Sequence, residues 1–189
     1  MSGISFNELL ANASRAYSAG KFGEAFSLYK ELAQGGHAES QVFVGWMLLE
    51  GKGVTSNPTD AAQWFERAAS LGSPQGAFYW ARYLTAQGQH HDAFNWYQKA
   101  AASNYLPAIF WVGYALAEGK GVPIDIQAAY KYLKRAKTQG HLYAQRQLAV
   151  LDLHGHRGFI YRLFGLASFV EAVLKSMFVA KADSDKLRG

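Results

Sequence analysis

The chain has 189 residues, half of them hydrophobic and 17% charged, with a formal net charge of +5. That is long enough to bury a continuous core, and nothing in the composition is low-complexity or disordered. Cysteine is absent, which removes disulfides, thiolate metal sites and cysteine nucleophiles. The mild positive excess is weak evidence for nucleic acid, so no nucleic-acid partner is expected.

The opening residues, Met1-Ser2-Gly3-Ile4-Ser5-Phe6-Asn7-Glu8, lack the basic segment and long apolar run of a secretory signal, so a cytoplasmic protein is expected. Further on, one pentapeptide occurs twice, as Glu50-Gly51-Lys52-Gly53-Val54 and Glu118-Gly119-Lys120-Gly121-Val122, 68 residues apart. Twice 34 is the period of a helical repeat array. Around these anchors the chain reads as pairs of helices. The second helix of each pair carries Ala25-x-x-Leu28-Tyr29-x-x-Leu32-Ala33, Ala61-x-x-Trp64-Phe65-x-x-Ala68-Ala69, Ala93-x-x-Trp96-Tyr97-x-x-Ala100-Ala101 and Ala129-x-x-Tyr132-Leu133-x-x-Ala136, at spacings of 36, 32 and 36 residues. Residues at i, i+3, i+4, i+7 and i+8 share one helical stripe. Trp64, Trp80, Trp96 and Tyr132 fall on the packing stripes and are expected in the core.

The first helix of each pair carries Val44-Gly45, Trp80-Ala81, Val112-Gly113 and Leu148-Ala149, after a degenerate copy around Ala13-x-x-Ala16-Tyr17. A small residue in mid-helix is worth its cost where its missing side chain allows close packing. The short turns at Gly20 and Gly88 alternate with the two long GKGV turns, whose glycines suit positive φ at a helix end. Val54 and Val122 plug the space beneath. Asn57 and Asp125 are the expected N-caps, with Pro58 at the first helical position.

This pattern, A-x-x-x-x-G-x-x-x-x-x-G-x-G-V-x-x-D/N followed by A-x-x-W/Y-Y/F/L-x-x-A-A-x-x-G, resembles the Sel1-like repeat, a relative of the tetratricopeptide repeat. The likeness covers roughly residues 5 to 155 and is strongest in the second and fourth repeats. It implies an all-α fold, a right-handed α-α superhelix or solenoid. Residues 1–153 would hold four repeats plus the first helix of a fifth, and 154–189 a hydrophobic amphipathic helix with a polar tail. It also implies a non-enzymatic adaptor or scaffold whose partner is another protein or peptide, as in signalling, secretion, envelope-biogenesis or quality-control assemblies.

No catalytic residues, metal site or cofactor are expected. His37 and His141 follow glycines at cap positions; His90-His91-Asp92 and His154-x-His156 lack a third ligand at metal spacing. The GKG tripeptides lack the spacing of a phosphate loop and follow helices instead of strands, and no serine stands in a nucleophile elbow. The basic run Lys131, Lys134, Arg135 and Lys137 reads as a solvated outer face.

Two surfaces remain. A solenoid docks peptides on the concave face lined by its first helices, and the resemblance to tetratricopeptide repeats selects Val42, Trp46, Glu50, Phe78, Arg82, Phe110, Tyr114, Glu118, Arg146 and Val150 as its groove. Trp46 and Tyr114 are the central residues. The second surface is the segment 159–180, where Phe159, Ile160, Leu163, Phe164, Leu166, Val170, Val173, Leu174, Met177 and Phe178 form a broad apolar face. Three roles are open to it: capping the array, binding a partner or a second copy (a homo-oligomer), and lying on a membrane surface as a peripheral regulator of envelope or polysaccharide export. Arg162, Glu171 and Lys175 argue against spanning.

Overall fold

The computed structural model describes residues 5–154 and 165–175. Among the described residues, helices follow one another as α1 (Phe6–Ser18), α2 (Phe22–Gln34), α3 (Ala38–Glu50), α4 (Pro58–Ser70), α5 (Pro74–Ala86), α6 (His90–Ala102), α7 (Leu106–Glu118), α8 (Ile126–Thr138) and α9 (Ala144–Leu153). Residues 165–175 are helical as well, and there is no strand among the described residues. The chain forms two compact units, Met1–Ser103 with α1 to α6 and Asn104–Gly189 with α7 to α9 and helix 165–175. Within each unit, consecutive helices pack against one another; α3 also touches α5, and α7 touches α9. This is the all-α, helix-pair architecture expected from the sequence.

The turns explain the regular helix lengths. Asn57 accepts a hydrogen bond from the Asp60 amide at 3.1 Å, and Asp125 one from the Ala128 amide at 2.9 Å, so both are N-caps. Both GKGV turns close alike, with Lys52 N to Met47 O (2.9 Å) and Asn57 N to Leu48 O (2.9 Å), matched by Lys120 N to Ala115 O (3.0 Å) and Asp125 N to Leu116 O (3.0 Å). Gly51 and Gly119 end their helices in the left-handed region at φ 65° and 68°.

The mid-helix glycines are used for contact. A Cβ on Gly45 would lie 2.6 Å from Phe65 Cε1, and one on Gly113 2.9 Å from Leu133 Cγ. The second helices bury alanines together with large residues at the repeated position, Phe65 (2% exposed), Tyr97 (3%) and Leu133 (0%). The preceding Trp64, Trp96 and Tyr132 are half-buried, as is Trp80, instead of fully in the core as expected; Trp64 and Trp80 pack against the buried cluster around Phe65 and Val44. One residue turns a side chain by about 100°. The flanking ring therefore sits at the margin, where Trp64 meets the Arg67 guanidinium at 4.7 Å and Trp96 the Lys99 ammonium at 3.7 Å.

Candidate functional site

Five of the ten groove residues named from the sequence come together in the second unit. Phe110, Tyr114 and Glu118 from α7, and Arg146 and Val150 from α9, line one groove of about 400 Å³ with Trp111, Tyr143 and Gln147. Its floor is aromatic: Trp111 meets Tyr114 edge-on at 5.5 Å, and Phe110 lies 6.3 Å from Tyr114. Phe110 is held from behind by His141, stacked at 4.2 Å with the planes 12° apart. Burial holds the His141 pKa below its ordinary value, which keeps the imidazole neutral against the ring. Glu118, an acceptor for Gln147 Nε2 at 3.2 Å, and Arg146 supply one charge of each sign. Arg146 also lies against helix 165–175, 5.9 Å from the Phe169 ring.

The first unit departs from the expectation at two positions. Val42 (8% exposed) and Phe78 (6%) are buried core residues. The next residue along is less buried: Phe43, Tyr79, Trp111 and Gln147 stand two places before the small residue in α3, α5, α7 and α9, and all four are half-buried. An aromatic at that place in three of four copies is the signal that would have found them. Arg82 is exposed and lines a pocket of about 280 Å³ with Leu49, Tyr79 and Tyr83. Glu50 is exposed. Trp46 is half-buried in an aromatic cluster, 5.6 Å from Phe43 and 6.3 Å from Tyr17.

Of the apolar face on the last segment, Leu166, Val170, Val173 and Leu174 are described; Phe159, Ile160, Leu163, Phe164, Met177 and Phe178 lie outside the described residues, as does His156. Helix 165–175 turns Gly165 and Ala172 inward. A Cβ on Gly165 would come 2.9 Å from the Leu153 amide nitrogen, and Ala172 is buried. Leu166, Val170 and Leu174 are 56%, 50% and 50% exposed, one stripe at i, i+4 and i+8. Glu171 accepts from Gln145 on α9 at 3.3 Å and pairs with Lys175, which holds its carboxyl below the usual range. No helix among the described residues is long and apolar enough to cross a membrane.

Among the described residues, no three His, Asp or Glu side chains gather as around a metal. His37 occupies the N-cap position of α3 without capping it; its ring pairs with Ser40 Oγ (2.7 Å) and Glu39 (3.0 Å). His141 stands before the α9 cap residue Tyr143, so it is a stacking residue, not the expected cap. Lys131, Lys134, Arg135 and Lys137 are exposed, and Arg135 donates to Asn104 at 2.7 Å.

The family model described as Sel1 repeat matches residues 38–73, 74–105 and 106–141, more than half of the chain. The chain is similar to an uncharacterized protein of Neisseria meningitidis serogroup B, 38% identical over 129 residues covering 67% of this chain and 27% of that one. It is also similar to an exopolysaccharide production negative regulator of Rhizobium meliloti, 26% identical over 144 residues covering 67% of this chain and 54% of the relative. The chain thus spans about half or less of the length of these curated relatives. Among solved structures, the Sel1 repeat protein from Oxalobacter formigenes superposes with a TM-score of 0.62 at 24% identity, over 78% of this chain and 62% of that one. That likeness concerns the fold.

Proposed function

The chain belongs to the Sel1 repeat family, and from that premise we propose that it is a non-enzymatic adaptor holding a segment of a partner protein in the α7/α9 groove. Repeats of this family are generally protein-interaction adaptors. The observation that carries the reading is the convergence of Phe110, Tyr114, Glu118, Arg146 and Val150 on one groove with an aromatic floor. Aromatic and Arg side chains in such a setting carry much of the binding energy of peptide interfaces. The test is selection of a random peptide library on the full chain. Enriched peptides should lose at least tenfold in affinity on Tyr114→Ala and on Arg146→Glu, and keep it on the outer-face change Lys134→Ala. Peptides indifferent to both groove changes, or no enrichment at all, would refute the reading.

A second reading rests on Leu166, Val170 and Leu174. An exposed apolar stripe of this kind suits docking to a membrane, a partner or a second copy; the name of the Rhizobium meliloti relative supports a regulator, and the stripe would place it at the membrane periphery. Flotation with anionic vesicles, lost on Val170→Glu, supports it. A chain that ignores vesicles but dimerises in solution, with the dimer abolished by Val170→Glu, assigns the stripe to self-association instead.

A further inference from the structure

Four cations in this chain lie over aromatic rings in the first unit, and one differs from the rest. Lys30, Arg67 and Lys99 each cover one ring three or four places earlier on the same helix. The Lys52 ammonium instead lies 4.6 Å from the Phe22 ring, 5.9 Å from Tyr17 and 5.9 Å from Trp46. Those rings come from α2, α1 and α3. Among the described residues Lys52 makes no ion pair; three π-faces hold it.

The rings hold one another without it. Tyr17 meets Phe22 at 5.2 Å and, edge-on, Phe43 at 5.1 Å and Trp46 at 6.3 Å, while Phe43 meets Trp46 at 5.6 Å. The cage is therefore preformed. Its surroundings also favour a cation: α1 and α3 both end beside it, at Ser18 and Glu50, and helix C-termini carry partial negative charge. All these rings are half-buried, so solvent reaches them.

Caging the lysine is not a requirement of the turn. Lys120, the same residue of the second GKGV copy, is exposed although its glycines adopt the same conformation, φ 68° and 75° against 65° and 74°.

We propose that Tyr17, Phe22 and Trp46 form a binding site for an alkylammonium group, a lysine or methylated-lysine side chain of a partner peptide, and that Lys52 occupies it as a built-in competitor. The site is separate from the α7/α9 groove and stands or falls independently of it. A ligand must displace a tethered ammonium, so wild-type affinity is low and rises when Lys52 is neutralised.

The test is a titration of the full chain with tetramethylammonium chloride, followed by the indole N–H resonance of Trp46 in nitrogen-15 spectra. Sodium chloride at equal ionic strength is the reference. Lys52→Gln should bind at least tenfold more tightly than wild type, and Lys52→Gln/Trp46→Ala should not bind. A short peptide carrying one trimethyllysine should then compete for the Lys52→Gln site, and the same peptide with norleucine should not. In the unaltered protein, tetramethylammonium should also move the Lys52 side-chain resonances out of their ring-current shifts, a readout that survives if Lys52→Gln folds poorly. Equal affinity in wild type and Lys52→Gln, or Lys52 resonances that stay in place, overturns the proposal.

Discussion

Replacing Gly45 by alanine tests whether the array is held by contact at this one point. The added methyl would sit 2.6 Å from Phe65 Cε1 and 2.9 Å from both Cδ1 and Cζ, closer than carbon atoms pack. The ring has nowhere to go, because Phe65 is 2% exposed and stacked on Tyr79 at 4.9 Å. Overpacking of this kind costs about 1–3 kcal/mol, while alanine in mid-helix recovers up to about 1 kcal/mol over glycine. A net loss of roughly 1 kcal/mol, and at most about 2 once the helix gain is fully recovered, is therefore expected. Gly23→Ala is the control: its methyl would meet only the Gly53 carbonyl, at 3.7 Å, so stability should hold or rise slightly. In a Phe65→Leu background, which lacks the ring atoms concerned, Gly45→Ala should cost little or nothing. Native-state hydrogen exchange of the α3 amides in urea reads all three. Gly45→Ala at or above wild-type stability would refute the reasoning.

Phe65→Ala should cost about 3–5 kcal/mol, as aromatic truncations in a core do, and Trp64→Ala clearly less, since Trp64 is half-buried; thermal or urea melts that rank them the other way would contradict the core assignment. Asn57→Ala should lose about 1 kcal/mol through its cap, with Asn57→Ser recovering most of it in the same melts. His141 has a folded pKa below its ordinary 6.5, so the unfolded chain binds its proton first. Its contribution is fully present above pH 6.5 and is lost as pH falls through and below that value. His141→Phe, which keeps the stack on Phe110, should flatten the acid side of the second unit's stability profile.

The helix pairs, their caps and the contact role of Gly45 and Gly113 were legible because each leaves a local mark: a period, an Asn or Asp ahead of a helix, a glycine where none is cheap. The exact groove face was not. Val42 and Phe43 are adjacent and both apolar, and α3 and α7 are apolar nearly all round, so periodicity does not choose between neighbouring faces. Tyr114 and Glu118 line the α7/α9 groove, whereas Val42 and Phe78 are buried and the half-buried residue is the next one along. The same step separates Trp64 from Phe65. The Lys52 cage was invisible for a different reason: Tyr17, Phe22, Trp46 and Lys52 lie in three helices and a loop, and only the fold puts them together.

Gly53 has a consequence for how the first unit comes apart. Its backbone, at φ 74°, runs so close to the start of α2 that a Cβ would fall 2.3 Å from the Phe22 carbonyl carbon. The loop leaving α3 is thereby seated on the preceding helix pair. In repeat arrays, the strength of such junctions relative to each repeat's own stability decides whether neighbours melt singly or together. The α1/α2 pair, the most degenerate in sequence and the poorest in large core residues, thus borrows its order from the pair that follows. The loop contact at Gly53 adds to the ring contacts of Tyr17 and Tyr29 with α3, so a side chain there should weaken the junction and let α1 and α2 melt ahead of the rest.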